Sequence, residues 1–77
     1  MYTVYVLESL KDQKRYVGMT SNLDRRLKEH YRGGVKSTRS RRPFKLVHKE
    51  SFAEKKDAGL REKFFKTGKG RDYLDSL

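Results

Sequence analysis

The sequence predicts a small α+β domain, a three-stranded antiparallel sheet flanked by helices. Three observations carry that expectation. Residues 2–7, 15–19 and 44–50 are short runs rich in β-branched and aromatic side chains, alternating in the period-2 manner of strands. Residues 23–32 and 53–66 instead space their apolar side chains for helices. The polar segment Lys11-Asp12-Gln13-Lys14 between the first two runs is short enough to close an antiparallel hairpin.

In the first strand Val4 and Val6 share one face, with Thr3, Tyr5 and Leu7 on the other. In the return strand Val17 and Met19 lie opposite Tyr16 and Gly18. With the valines in the core, Tyr5 and Tyr16 are free to face a common side, and Gly18 leaves room for a close approach to a phenol. Thr20-Ser21-Asn22 then opens a helix, Ser21 and Asp24 having the spacing of a capping box with the shorter acid. Within residues 23–32, Leu23, Leu27 and Tyr31 form the stripe expected to be buried. Arg26 and His30, four apart, sit at its edge on one face. Gly33-Gly34 ends the helix.

Residues 35–43 carry Lys36, Arg39, Arg41 and Arg42 among Ser37, Thr38 and Ser40, with no apolar period. That composition predicts a loop that meets phosphates through charge and hydroxyls; the plainer alternative is a solvated basic loop. The third strand alternates Phe44, Leu46 and His48 with Lys45, Val47 and Lys49. In the second helix Leu60 and Phe64, with Ala53, Ala58 and Phe65, are expected to face inward. Gly59 interrupts that helix at a cost of about 1 kcal/mol against alanine, which a close approach by a strand or by Tyr16 would explain. Gly68 reads as a stop, Gly70 as a bend, and residues 72–77 as a last turn. The expected core is Val4, Val6, Val17, Leu27, Leu46, Leu60 and Phe64.

Seventy-seven residues make one domain, which buries only about 60% of the surface exposed by its unfolded chain. No cysteine is present, so disulfides and thiolate zinc sites are excluded, and two separated histidines do not make a metal cage. No apolar run approaches the roughly 20 residues that span a bilayer, and the N-terminus lacks a secretory pattern, so a cytoplasmic location is expected. Twenty Lys and Arg against ten Asp and Glu leave a net charge of +10 and a pI near 10.1. Such an excess points to a polyanion. A membrane surface would need a wide apolar helix face that this core also claims, so nucleic acid is the expected partner.

Thr3-Val4-Tyr5, then Tyr16-Val17-Gly18, then Arg26, His30 and a carboxylate in a later helix resemble the GIY-YIG nuclease superfamily. The likeness is to small standalone members, related to the N-terminal nuclease domain of the bacterial excision-repair nuclease, and it spans residues 2 to about 66. Thr3 replaces the first glycine of the motif. Met19 stands where the excision-repair nuclease has a lysine, which removes one electrostatic helper. The resemblance implies a metal-dependent endonuclease that hydrolyses phosphodiester bonds in DNA, with RNA the alternative substrate, in repair or recombination. It also implies roles: Tyr5 and Tyr16 position and deprotonate a water, His30 handles protons, and Glu62 holds one magnesium or other divalent ion.

The chemistry of the side chains bears on each role. A tyrosine with its ordinary pKa near 10 is no base at neutral pH unless cations or a second base assist, and Arg26 and His30 can do both. Either tyrosine alone would read as core packing; their joint spacing with Arg26 favours a site. The planar fork of Arg26 suits a phosphoryl oxygen, whereas Arg25, about 100° round the helix, faces solvent. Glu62 lies beside the apolar stripe, where an unpaired charge is costly; a cation would resolve that cost, and an ion pair with Lys66 is the alternative. One carboxylate with phosphate and waters suits magnesium. His48 reads as an ordinary strand residue. Two other functions stay open, a non-catalytic nucleic-acid-binding module and a subunit of a larger repair or ribosome-associated assembly. No recognition helix is present, so binding is expected to be electrostatic and indifferent to base sequence.

Overall fold

In a computed structural model describing residues 1–77, the chain forms β1 (Tyr2–Ser9), β2 (Arg15–Thr20), α1 (Leu23–Tyr31), β3 (Phe44–Phe52), α2 (Lys55–Phe65) and α3 (Gly68–Asp75). A 3-10 turn at Arg39–Arg41 lies between α1 and β3. The sheet order is β2-β1-β3 and both pairings are antiparallel, as the alternating runs predict. No helix is long and apolar enough to cross a membrane.

Because β1 is central, both of its faces are covered. Val4, Tyr5, Val6 and Leu7 are all fully buried. Tyr5, Leu7 and Phe44 pack with Tyr16 and with Leu23 and Leu27 of α1. Val4 and Val6 pack with Ala58, Phe65 and Leu74 of α2 and α3, joined by Val17, Met19 and Phe52. The alternation in β1 therefore divides two small cores, not core from solvent. Tyr5 lies inside the first of them.

In β3 the structure departs from simple alternation. Val6 pairs with His48 and Leu7 with Leu46, so Val47 is a bulged residue with no partner. The extra residue reverses the side-chain phase. Phe44 and Leu46 stay on the α1 side, while His48 turns to the other side and stacks edge-on against Phe65. There His48 Nε2 lies 2.7 Å from Glu50, which also accepts two bonds from Arg61 at 2.8 and 3.2 Å. Against burial, which works the other way, Arg61 and His48 hold the Glu50 carboxyl below its usual range. The Arg61 guanidinium covers the rings of Phe64 and Phe65 at 4.7 Å. This network fastens α2 to the sheet, and His48 is structural.

The helices correct several expectations. α1 is capped by Asn22, whose side chain accepts from the Arg25 amide at 3.1 Å, in place of Ser21. Tyr31 is 45% exposed and leaves the buried stripe, and His30 is buried instead. In α2 the inward residues are Ala58 and Phe65, while Leu60 is 59% exposed and Phe64 only half-buried. Leu60 lies two residues from Ala58, about 200° round the helix, which turns it to solvent. Gly68 begins α3 instead of stopping a helix, with Thr67 as its cap. Gly70 lies inside α3 and not at a bend, and glycine is required there because a Cβ would run into the Phe64 carbonyl.

Nothing approaches Gly59 within 4 Å of where a Cβ would stand. No close packing explains it. Gly59→Ala should therefore stabilise the protein by about 1 kcal/mol, read as a raised denaturant midpoint with unchanged slope.

Candidate active site

Residues 35–43 are pinned, not loose. Fully buried Ser9, at the end of β1, donates from its hydroxyl to the Arg41 carbonyl at 2.7 Å, and the Leu10 amide donates to the Pro43 carbonyl at 2.8 Å. Arg39 Nε donates to the Gly33 carbonyl at 2.9 Å and Arg42 Nε to the Arg39 carbonyl at 3.0 Å. These bonds carry Thr38 over the end of α1, where it is fully buried.

Four of the expected site residues meet on the α1 side of the sheet. The Tyr5 hydroxyl is 2.9 Å from His30 Nε2. The Tyr16 ring lies 5.1 Å from the His30 ring and 6.3 Å from that of Tyr5, centre to centre. The Arg26 guanidinium lies beside the Tyr5 phenol and 3.3 Å from Glu29. His30 Nδ1 is 2.8 Å from the Thr38 hydroxyl, which itself donates to the Val35 carbonyl at 3.4 Å. With the Thr38 hydroxyl donating to Val35, the consistent arrangement has Nδ1–H donating to Thr38, the tautomer on which the chemistry of this site rests. Nε2 is then a lone pair, and Tyr5 donates to it. Thr38 is the residue missed from sequence: it stood among the loop hydroxyls, and no local spacing tied it to His30.

The electrostatics agree with this direction. Burial lowers the His30 pKa below the usual histidine value, the Arg26 charge lowers it further, and Glu29 opposes them. His30 is neutral at physiological pH. Burial raises the Tyr5 pKa, with Arg26 working against it. A neutral phenol aimed at a neutral imidazole can pass a proton to it.

Gly18 pairs with Tyr5 across the sheet, and a Cβ on it would stand 2.5 Å from the Tyr5 hydroxyl. The space that glycine leaves is filled by Tyr5 itself. Gly18→Ala should push the phenol off His30 and cost about 1–3 kcal/mol, visible as a lower melting temperature. Unchanged stability would mean the phenol has another place to go.

Tyr16 also lines a cleft of about 670 Å³ at the edge of β2. Lys14, Arg15, Arg41, Lys66 and Arg71 line it too, with Glu62 as its only carboxylate. Glu62 pairs with Lys66 at 3.3 Å, the ion pair expected from the sequence as the alternative to a metal ligand. Of the expected nucleic-acid contacts, Arg41 reaches this cleft, Arg39 and Arg42 line a separate hollow with Tyr31, and Lys36 is exposed on the loop. Arg15 is held by Asp75 at 2.5 Å.

The family model for the GIY-YIG catalytic domain matches residues 1–73. The chain belongs to the GIY-YIG family. It is 46% identical over 67 residues to a UPF0213 protein of Clostridium perfringens, covering 86% of this chain and 71% of that one. A UPF0213 protein of Natronomonas pharaonis is 50% identical over 60 residues, covering 77% and 69%. The solution NMR structure of a UPF0213 protein from Bacillus halodurans superposes with a TM-score of 0.62 at 41% identity, covering 100% of this chain and 85% of the other. The fold and the family expected from the motif are thus shown, and a GIY-YIG domain is associated with nuclease activity on nucleic acid. The names of these relatives state no activity.

Proposed function

We propose that this GIY-YIG domain is a metal-dependent endonuclease that hydrolyses phosphodiester bonds in DNA, in repair or recombination. The observation that carries the proposal is the position of Tyr16. Its ring packs against the Tyr5–His30 pair, and the residue also lines the cleft that holds Glu62, so it lies between a proton acceptor and a cationic groove. Lys14, Arg41 and Arg71, with Arg15 and Lys66 that already have carboxylate partners, attract a phosphodiester to the cleft, and Arg26, half-buried beside Tyr5 and outside the cleft lining, is assigned to the charge that grows on the phosphoryl oxygens. A water at the Tyr16 hydroxyl attacks phosphorus and gives up its proton to Tyr16, while the phosphorus–oxygen bond to the leaving strand end breaks and the departing oxygen takes a proton from solvent. For that proton to reach Nε2 of His30, the Tyr16 hydroxyl closes onto that of Tyr5 when substrate binds, each hydroxyl taking one proton as it hands on another; the bond from Tyr5 to His30 is already made. No standing phenolate is needed, which fits the raised pKa of Tyr5.

Glu62 is the candidate metal ligand. No group of three or more His, Asp or Glu side chains could cage an ion, and a single carboxylate leaves most of a coordination shell to phosphate and water. That donor set fits magnesium held jointly with substrate. When bound, the ion supplies positive charge to the phosphate and the leaving oxygen.

One arrangement favours a second reading, a module that binds nucleic acid without cutting it. Tyr5 is sealed from solvent and Glu62 already pairs with Lys66. Incubating the purified protein with branched, single-stranded and duplex DNA, with magnesium or with EDTA, separates the two. Magnesium-dependent nicking is expected on at least one substrate, and Arg26→Ala should slow it about a hundredfold or more. Tight binding with no nicking on any substrate would leave the binding module.

A further inference from the structure

We propose that the hollow between the end of α1 and the start of β3 is a subsite for one unpaired nucleobase. It would make the protein prefer single-stranded or flapped nucleic acid over uninterrupted duplex. Tyr31, Arg39, Arg42, Pro43 and Phe44 line a hollow of about 560 Å³, within the range of small-ligand sites. Tyr31 has the spacing of a core residue yet is 45% exposed here, beside two arginines. A large aromatic face left in water beside cations is the arrangement on which bases stack.

The two arginines are set in advance. Each spends Nε on a backbone carbonyl, Arg39 on Gly33 and Arg42 on Arg39, and neither has a carboxylate partner. Arg42 also lies flat over Gly33, whose φ of +83° and missing side chain make the space; a Cβ there would stand 2.7 Å from the guanidinium carbon. Both Nη groups of Arg39 are left to meet phosphates flanking a stacked base. Phe44, on the wall of the hollow, meets His30 edge-on at 6.4 Å, so the hollow adjoins the tyrosine–histidine cluster. A base inside a duplex is stacked on both faces and cannot lie on Tyr31. An unpaired one can.

The proposal rests on the nucleic-acid reading above and not on cleavage, so its test is binding in EDTA. Fluorescence anisotropy would compare a labelled single strand, a hairpin duplex of the same sequence, and a strand made of abasic sites. Tyr31→Ala should weaken single-strand binding about tenfold while changing duplex and abasic binding less than about twofold, and Tyr31→Phe should bind as wild type does. Equal weakening on all three probes, or no weakening on any, would overturn the subsite. A magnesium cleavage assay run in parallel keeps the two proposals apart. The binding pattern without cutting supports the subsite and removes the nuclease; cutting with Tyr31-independent binding removes the subsite and leaves the nuclease.

Discussion

Tyr5→Phe should keep the fold and lose most of the cleavage rate. The substitution removes one oxygen from a fully buried ring and leaves the packing against Leu7, Phe44 and Tyr16 in place. Its stability cost is the unpaired Nε2 of His30, about 1–2 kcal/mol. Its kinetic cost is larger, because the path between Tyr16 and His30 is cut; loss of general-base catalysis is worth about 10²–10⁴ in rate. Single-turnover rates at saturating DNA measure this, with circular dichroism as the check on fold. Full activity in Tyr5→Phe would reduce Tyr5 to core packing. The same proton path predicts pH dependence with a definite sign. His30 must be neutral, and its folded pKa lies below the ordinary histidine value near 6.5, so the acid limb of the rate should fall below pH 6.5. Stability follows the same window. Above about pH 6.5 His30 contributes no pH dependence, and between there and its lowered value the unfolded chain takes up a proton that the fold refuses. Stability should therefore fall as pH is lowered through that interval.

Glu62→Gln should bind DNA as wild type does and cut it at least about a hundredfold more slowly, roughly 3 kcal/mol of transition-state stabilisation. The amide keeps the shape of the side chain and removes the charge that would hold a cation. Folding stability should barely change, within about 0.5 kcal/mol, because the pair with Lys66 is an exposed-helix contact of small value. Parallel measurements of Kd in EDTA and of the rate in magnesium decide the matter. Equal rates for mutant and wild type would make Glu62 a partner of Lys66 and nothing more.

The parts of this molecule that obey local rules were legible in its sequence. The β1–β2 hairpin follows from period-2 alternation, and the shared face of Arg26 and His30 from four-residue spacing; both are short-range consequences of backbone geometry. What depends on the return of distant segments was not. Tyr5 is sealed because α1 and the Phe44 side chain close over the second face of β1, and the bulge at Val47 that turns His48 away appears only in the pairing with β1. Tyr31 has the spacing of a core residue, yet its exposure depends on where residues 35–43 are tied down. Thr38 meets His30 for the same reason, through bonds from Ser9 and Leu10 that no pattern within the loop reveals. Leu60 is the opposite case, an apolar residue whose phase round the helix, two residues from Ala58, turns it to solvent. Glu62 is legible from its place beside the apolar stripe and from family resemblance. The cleft that it shares with Tyr16 required the folded chain.

Every step of the proposed chemistry depends on a neutral His30 that carries its proton on Nδ1 and offers Nε2 to Tyr5. Nitrogen-15 NMR of the imidazole across pH measures this directly. The expected result is a protonated Nδ1 and a pyridine-type Nε2 at neutral pH, with titration only below the ordinary histidine value. A proton on Nε2, or titration at or above pH 6.5, would contradict the direction of the relay and with it the role given to Tyr5.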